Sequence, residues 1–214
     1  MANLLNQEVT QQIETILKQA KQDITIVLFT KEGDCPTCKE TTQLLEEVSA
    51  LSERITLTKK DINDDATLAE KYGVTLTPSF VLLDNENHYK GVKFNGIPAG
   101  HEINSFITAL LEMAGQPIQY DETIKARIST LEKPINIKVF VTLSCPHCPG
   151  AVQNAHRLAM LNDNIEGEMV EAQTFGPLAN RYDVSGVPKI VINEEHELVG
   201  NQPVEAFLDI IEKL

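Results

Sequence analysis

The chain has 214 residues, 42% of them hydrophobic and 5% aromatic, with no tryptophan and a formal net charge of −13. Such acidity repels phosphate backbones and anionic membrane surfaces, and so few rings offer no stacking platform for bases, which argues against nucleic acid and membrane as partners. The length suits two units of about 100 residues each better than one large domain.

Taken in order, Asn3 to Ala20 places Leu4, Leu5, Val9, Ile13, Ile16 and Leu17 near helical spacing, so a leading amphipathic helix is expected. Ile24 to Thr30 is a continuous β-branched and apolar run, as in a strand covered on both faces. A loop from Lys31 to Asp34 delivers Cys35, and a helix follows to about Ser52. Ile55 to Asp61 reads as a strand, Ala66 to Tyr72 as a short helix stopped by Gly73, Thr77-Pro78 as a special turn, and Ser79 to Leu83 as a strand. Asp84 to Asn87 has turn chemistry, Lys90 to Asn95 is a last strand and His101 to Met113 a closing helix. Gly115-Gln116-Pro117 breaks the pattern, so domains are expected at 1–115 and 116–214.

The second half repeats the plan. A helix is expected near Asp121 to Leu131, then a strand at Ile135 to Val141, a helix at about Pro149 to Leu161, a strand at Ile165 to Glu171 and a short helix at Leu178 to Tyr182. Strands at Lys189 to Ile192 and Glu197 to Gly200 and a helix at Val204 to Lys213 complete it, with Pro149 and Pro203 in first helical turns. Cys35 and Cys145, Tyr72 and Tyr182, and Pro78 and Pro188 are each 110 residues apart, so the two halves are read as copies of one unit.

All four cysteines fall in two pairs, Cys35-Pro36-Thr37-Cys38 and Cys145-Pro146-His147-Cys148, each where a strand hands over to a helix. The amino end of a helix offers unpaired N–H groups that favour thiolate, so these positions suit redox chemistry. A zinc ribbon would bring its pairs within about 20 residues, so no metal is expected. With no cysteine spent on a secreted framework, no cationic and apolar leader, and no run of about 18 apolar residues, a cytoplasmic protein is expected.

These motifs, with Thr77-Pro78 and Val187-Pro188 downstream, resemble the two-domain protein disulfide oxidoreductases, glutaredoxin-like proteins with tandem thioredoxin folds. The stretch around Ser144 to Val152 is also similar to the tandem amino-terminal domain of the alkyl hydroperoxide reductase flavoprotein, in which only the second half keeps its cysteines. The resemblance implies an α/β fold of two thioredoxin-like domains, each a mixed central sheet flanked by helices. It also implies cis prolines at 78 and 188 beside the dithiols, with the backbone of Thr77 and Val187 offered to an extended substrate.

In thiol–disulfide exchange Cys35 and Cys145 are expected to attack, and Cys38 and Cys148 to resolve the mixed disulfide. Pro36 and Pro146 stiffen the loops, while Thr37 and His147 tune potential; His147 is expected to make the second pair the more reactive and more oxidising. Thioredoxins carry a buried acid on the strand before the cysteines, whereas neither strand here holds Asp or Glu. Proton transfer is therefore assigned to water, His147, Glu171 or Asp61.

The expected activity is dithiol–disulfide exchange on disulfide-containing proteins, in cell redox homeostasis, with no bound cofactor because the electrons pass through the cysteines. The resemblance implies electrons from an NADPH-dependent thioredoxin reductase-type flavoprotein. Alternatives are a dedicated carrier from such a flavoprotein to a peroxiredoxin, and a non-catalytic thioredoxin-fold binding module. His88, His101, His156 and His196 are expected in turns or on helix surfaces, Tyr72 and Tyr182 as packing for their short helices, and Asp61 to Asp65 as a solvated turn.

Overall fold

The computed structural model describes residues 3–214. The first half runs α1 (Gln7–Leu17), β1 (Ile24–Thr30), α2 (Cys38–Ser49), β2 (Ile55–Asp61), α3 (Ala66–Lys71), β3 (Ser79–Leu83), β4 (Tyr89–Asn95), a 3₁₀ turn (Gly100–Glu102) and α4 (Ile103–Met113). The second runs α5 (Glu122–Ser129), β5 (Ile135–Val141), α6 (Cys148–Leu161), β6 (Ile165–Glu171), α7 (Gly176–Arg181), β7 (Lys189–Ile192), β8 (His196–Val199) and α8 (Val204–Ile211).

Strand positions agree with the sequence reading to within one residue, β4 starting at Tyr89 and β8 running from His196 to Val199, and the larger differences sit at helix ends, where caps decide. Helix α1 starts at Gln7 and not at Asn3, because the Asn6 side chain accepts the Val9 N–H at 2.9 Å. The Leu4 and Leu5 N–H groups instead donate to the Glu47 carboxylate, each at 2.9 Å. The first-half closing helix begins at Ile103, since His101 belongs to the 3₁₀ turn before it. Pro203 is the N-cap of α8 with extended backbone, one position outside the helical turn predicted for it.

The two halves do not keep separate sheets. One eight-stranded sheet has the order β2-β1-β3-β4-β6-β5-β7-β8, and parallel pairing of β4 with β6, Val92 opposite Gly167 through Asn95 opposite Val170, makes the join. Strands β1, β4, β6 and β5 all run the same way, because β1 and β4 are each antiparallel to β3, while β4–β6 and β6–β5 are parallel. The carboxyl ends of β1 and β5, which feed the two cysteine pairs, therefore lie on one edge of the sheet.

One face of the sheet carries a single apolar core spanning both halves: Ile26, Leu28, Phe80 and Phe94 from the first, Ile137, Val139, Met169 and Ile190 from the second. Six helices cover it, α1, α2, α4, α5, α6 and α8. Gly167 faces α6, where a Cβ would stand 2.5 Å from the Ala155 carbonyl oxygen, so the helix lies directly on the strand because that side chain is missing.

The opposite face is split. Helix α3 covers Val27, Phe29, Val81 and Leu83, and α7 covers Phe140, Val170 and Val191. Tyr72 and Tyr182 pack as expected, their rings 6.4 Å from Phe29 and 5.3 Å from Phe140. Between these patches runs a polar strip along the join: Asn95 donates to Glu168 at 2.8 Å, Asn136 bridges Glu166 and Glu168, and Lys93 pairs with Glu166 at 2.7 Å. Buried polar groups satisfied in this way fix the register of β4 on β6.

Two further contacts tie the halves on the helical side. Arg157 of α6 grips Glu112 of α4 with Nε and a terminal nitrogen, at 2.8 and 2.7 Å. His156, predicted at a helix surface, is instead buried against Phe94, ring centroids 4.6 Å apart, with Nε2 3.1 Å from the Lys93 carbonyl oxygen. Its environment comes from β4 of the other half, which no pattern within α6 can reveal. Burial drives its pKa down to about 4, so it is neutral at pH 7.

Candidate active sites

Both cysteine pairs sit at helix mouths on the shared sheet edge. In the first, Cys35 and Cys38 are joined in a disulfide with Cα atoms 5.4 Å apart, Cys38 heading α2 and Cys35 half-exposed. That separation lies within the range such a bond accepts without backbone movement. In the second, Cys145 and Cys148 are free thiols; Cys148 heads α6 fully buried, and Cys145 is half-buried at the mouth. The outer sulfur meets solvent and the inner one does not, as the strand–loop–helix path dictates.

Thr77-Pro78 and Val187-Pro188 are both cis, as the resemblance implied. In the second half this brings Val187 against the dithiol, with Cys145 Sγ 3.8 Å from the Val187 carbonyl oxygen, although 42 residues separate them. Pro36 and Pro146 lie on the loops, and Thr37 and His147 are the N-caps of α2 and α6. His147 is exposed and its imidazole has no hydrogen-bond partner among the described residues. The Thr37 hydroxyl oxygen is buried and unpartnered among them.

Two proposed proton acceptors are committed elsewhere. Asp61 accepts from the N–H of Asn63 at 2.8 Å and from Asp64 and Glu32 at 3.3 Å, bonds that hold its carboxyl below the usual range. Glu171, fully inside the fold, accepts from the N–H groups of Gln173 at 3.1 Å and Thr174 at 2.6 Å. Each closes the turn after its strand.

A carboxylate that the sequence reading missed lies within electrostatic reach of the second site. Glu102, on the 3₁₀ turn of the first half, has no exposed surface; Oε2 accepts the Ser105 hydroxyl and Oε1 has no partner among the described residues. Burial raises its pKa to about 7, against the opposing Ser105 bond. Burial likewise pushes the Cys148 thiol up, as do the hydrogen bond it donates to Cys145 and the negative charges of Cys145 and Glu102, against a lowering bond from the Thr142 backbone. Nothing in the spacing around Glu102 signals its burial within electrostatic reach of Cys148.

The same turn touches the loop before Cys145. The His101 N–H donates to the Leu143 carbonyl at 2.9 Å, and a Cβ on Gly100, whose φ is +58°, would stand 2.3 Å from that oxygen. Among the described residues no group of three or more His, Cys, Asp or Glu side chains is arranged to hold a metal ion, and no helix is long and apolar enough to cross a membrane.

Comparison with known proteins follows this division into halves. A family model described as Thioredoxin matches residues 5–109, and one described as Thioredoxin domain matches 135–213. The AhpF subunit of alkyl hydroperoxide reductase from Staphylococcus aureus is 28% identical over 211 residues, covering 99% of this chain and 38% of the relative. The NADH dehydrogenase of Bacillus subtilis is 26% identical over 205 residues, 96% of this chain and 37% of that one. The chain thus spans well under half the length of these curated relatives.

Among solved structures, the alkylhydroperoxide reductase component AhpF from Enterococcus faecalis is 30% identical with a TM-score of 0.90, covering 97% of this chain and 99% of that one. A protein disulfide oxidoreductase from Aeropyrum pernix shares the fold, at 24% identity and a TM-score of 0.90 over 98% of this chain and 94% of the other.

Proposed function

The chain belongs to the tandem thioredoxin-domain proteins, of the kind found in AhpF of alkyl hydroperoxide reductase, and from that premise we propose that it is a protein dithiol–disulfide oxidoreductase with two CxxC sites. One observation carries this reading: Cys145 stands at a helix mouth 3.8 Å from the carbonyl before cis Pro188, with Cys148 buried behind it. An attacking sulfur, a resolving sulfur and a strand-like docking edge thereby meet at one point.

At the second site the Cys145 thiolate attacks one sulfur of a substrate disulfide; the S–S bond breaks and the other substrate sulfur leaves as thiolate. The mixed disulfide is resolved when Cys148 loses its proton and attacks Cys145 Sγ, which releases the second substrate thiolate. Two electrons have then passed to the substrate, and Cys145–Cys148 is a disulfide awaiting reduction. Cys148 is held protonated by burial, so this step needs an acceptor beside it. Glu102 fills that role, its carboxyl poised at about pH 7, where proton exchange in either direction is easy. Cys35 and Cys38 follow the same sequence without such an acid. Thr77 with Pro78 and Val187 with Pro188 align the substrate backbone, and Pro36, Thr37, Pro146 and His147 set the loops and potentials.

We place the domain boundary between residues 115 and 116 and the protein in the cytoplasm, with a thioredoxin reductase-type flavoprotein using NADPH as electron source. The likeness to AhpF over 99% of the chain supports a second reading, a dedicated carrier to a peroxiredoxin. Turnover with insulin and with an oxidised peroxiredoxin, using wild type, Cys35→Ser and Cys145→Ser, separates the two. Activity on both substrates supports the general enzyme, and activity on the peroxiredoxin alone supports the carrier. No turnover on either substrate by the wild type, with the cellular role intact in the Cys35→Ser, Cys145→Ser double variant, would sink both and favour a binding module.

A further inference from the structure

The 3₁₀ turn of the first domain makes two contacts with the second dithiol loop that come from outside the second domain. The His101 N–H binds the Leu143 carbonyl oxygen at 2.9 Å, two residues before Cys145. Gly100 lies so close to that oxygen that any Cβ would come within 2.3 Å of it, 3.0 Å from the Leu143 carbonyl carbon and 3.1 Å from its Cβ. The φ of +58° at Gly100 turns the chain toward the loop, a conformation that suits glycine above other residues. The residue after His101, Glu102, is the buried carboxylate whose charge helps raise the Cys148 thiol, so one short turn both holds the loop of the attacking sulfur and carries an acid within electrostatic reach of the resolving one. The loop Lys31 to Asp34 before Cys35 is exposed, and among the described residues no backbone bond reaches it from the second domain.

We propose that the turn Gly100–Glu102 is a working part of the second dithiol site, with Gly100 and His101 as positioning residues that hold the Leu143–Cys145 loop in register with Cys148. The proposal rests on the reading that Cys145 and Cys148 carry out disulfide exchange. It makes the second site composite: its cysteines come from one domain and its alignment from the other. A side chain at position 100 drives the turn from the loop by about an ångström, enough to spoil the line of attack of Cys148 on Cys145.

The test uses the full-length chain in the Cys35→Ser, Cys38→Ser background, with an aromatic disulfide such as 5,5′-dithiobis(2-nitrobenzoate) as substrate. Attack by Cys145 releases one chromophoric thiolate and resolution by Cys148 releases a second, so the two steps are timed separately. Gly100→Ala and His101→Pro, which replaces the N–H by a ring methylene aimed at the Leu143 carbonyl, are each expected to slow the second release about tenfold or more, since misplacement of about 1 Å costs roughly that much or more. Gly115→Ala, equally left-handed with φ +89° but meeting only the Gln22 side chain, is expected to leave both releases unchanged.

The same three substitutions in the Cys145→Ser, Cys148→Ser background report on the first site, expected to be unaffected. A second release as fast as wild type in both turn variants overturns the proposal. So does equal slowing at the first site or in Gly115→Ala, because the effect is then general loosening. Failure of the functional reading looks different: the wild-type second site would release no second thiolate at all.

Discussion

The two dithiol sites share a fold, a 110-residue offset and a cis proline, yet they are built from different amounts of protein. The first is self-contained: its loop is exposed, its acid Asp61 is spent on closing a turn, and its cysteines are joined. The second is lodged against its neighbour, which supplies a backbone donor through His101 and a buried carboxylate through Glu102. Duplication gave equal frames. The join of β4 to β6 made them unequal, because it sets the end of the first copy beside the active loop of the second.

The most forceful way to break this comparison is to loosen the join on its helical side. Arg157→Met leaves Glu112 buried without its cation, at an expected cost of about 3 kcal/mol in unfolding free energy. Exchange at the second site should fall with it while the first is spared; equal loss at both would show that the sites do not differ in dependence on docking. Urea unfolding and single-site turnover read both quantities.

Next in size is Glu102→Gln, expected to slow resolution at the second site about 100-fold and to leave the first unchanged. The same variant has a stability signature whose sign follows from burial. The folded carboxyl holds its proton up to about pH 7 while the unfolded one loses it near 4.5, so wild-type stability falls as pH rises through that window. Glu102→Gln should therefore match wild type near pH 4 and exceed it at pH 8 by as much as about 3 kcal/mol. A variant both faster and less stable at pH 8 contradicts the assignment.

His156 gives the opposite slope. Its folded pKa is depressed to about 4 from 6.5, so the stability it confers is present above pH 6.5 and is lost as pH falls toward 4. Between about pH 4.5 and 6.5 these two slopes oppose each other, while the carboxyl of Glu112, also raised by burial, adds to the decline with rising pH. His156→Gln should remove one slope and reveal a decline with rising pH, measured as thermal or urea midpoints across the range. The smallest expected effect concerns the spacers: exchanging Thr37 for His and His147 for Thr should move the two reduction potentials toward each other by about 30 mV each. Unmoved potentials would remove His147 from the account of why the sites differ.

Much of the frame was legible in the chain because Ile24 to Thr30 is a continuous β-branched and apolar run, Ile135 to Val141 is rich in Ile, Val and Phe around Asn136 and Lys138, and the repeated landmarks fix their order. The cysteines and prolines could be read because their chemistry depends on short local spacing. What stayed hidden depends on contact between halves. Lys93, Glu166 and Glu168 mark β4 and β6 as edges with polar character, and only their mutual pairing turns those edges into the centre of a sheet. Glu102 and His156 were missed for the same reason: their burial is conferred by the other copy. Asn6, whose cap shortens the leading helix, was a local signal open to reading.

The strand order carries a last consequence. From β1 to β5 there are four steps across the continuous sheet, roughly 19 Å at the usual interstrand spacing, and the β4–β6 ladder allows no hinge between them. A sulfur must touch a sulfur to pass electrons on, so the two dithiols cannot short-circuit. Each discharges only through a visiting molecule, and a chain loaded at one terminal stays charged there until a carrier bridges the gap. Dilution should slow equilibration between the pairs in proportion, as in a battery whose poles are wired outside the case.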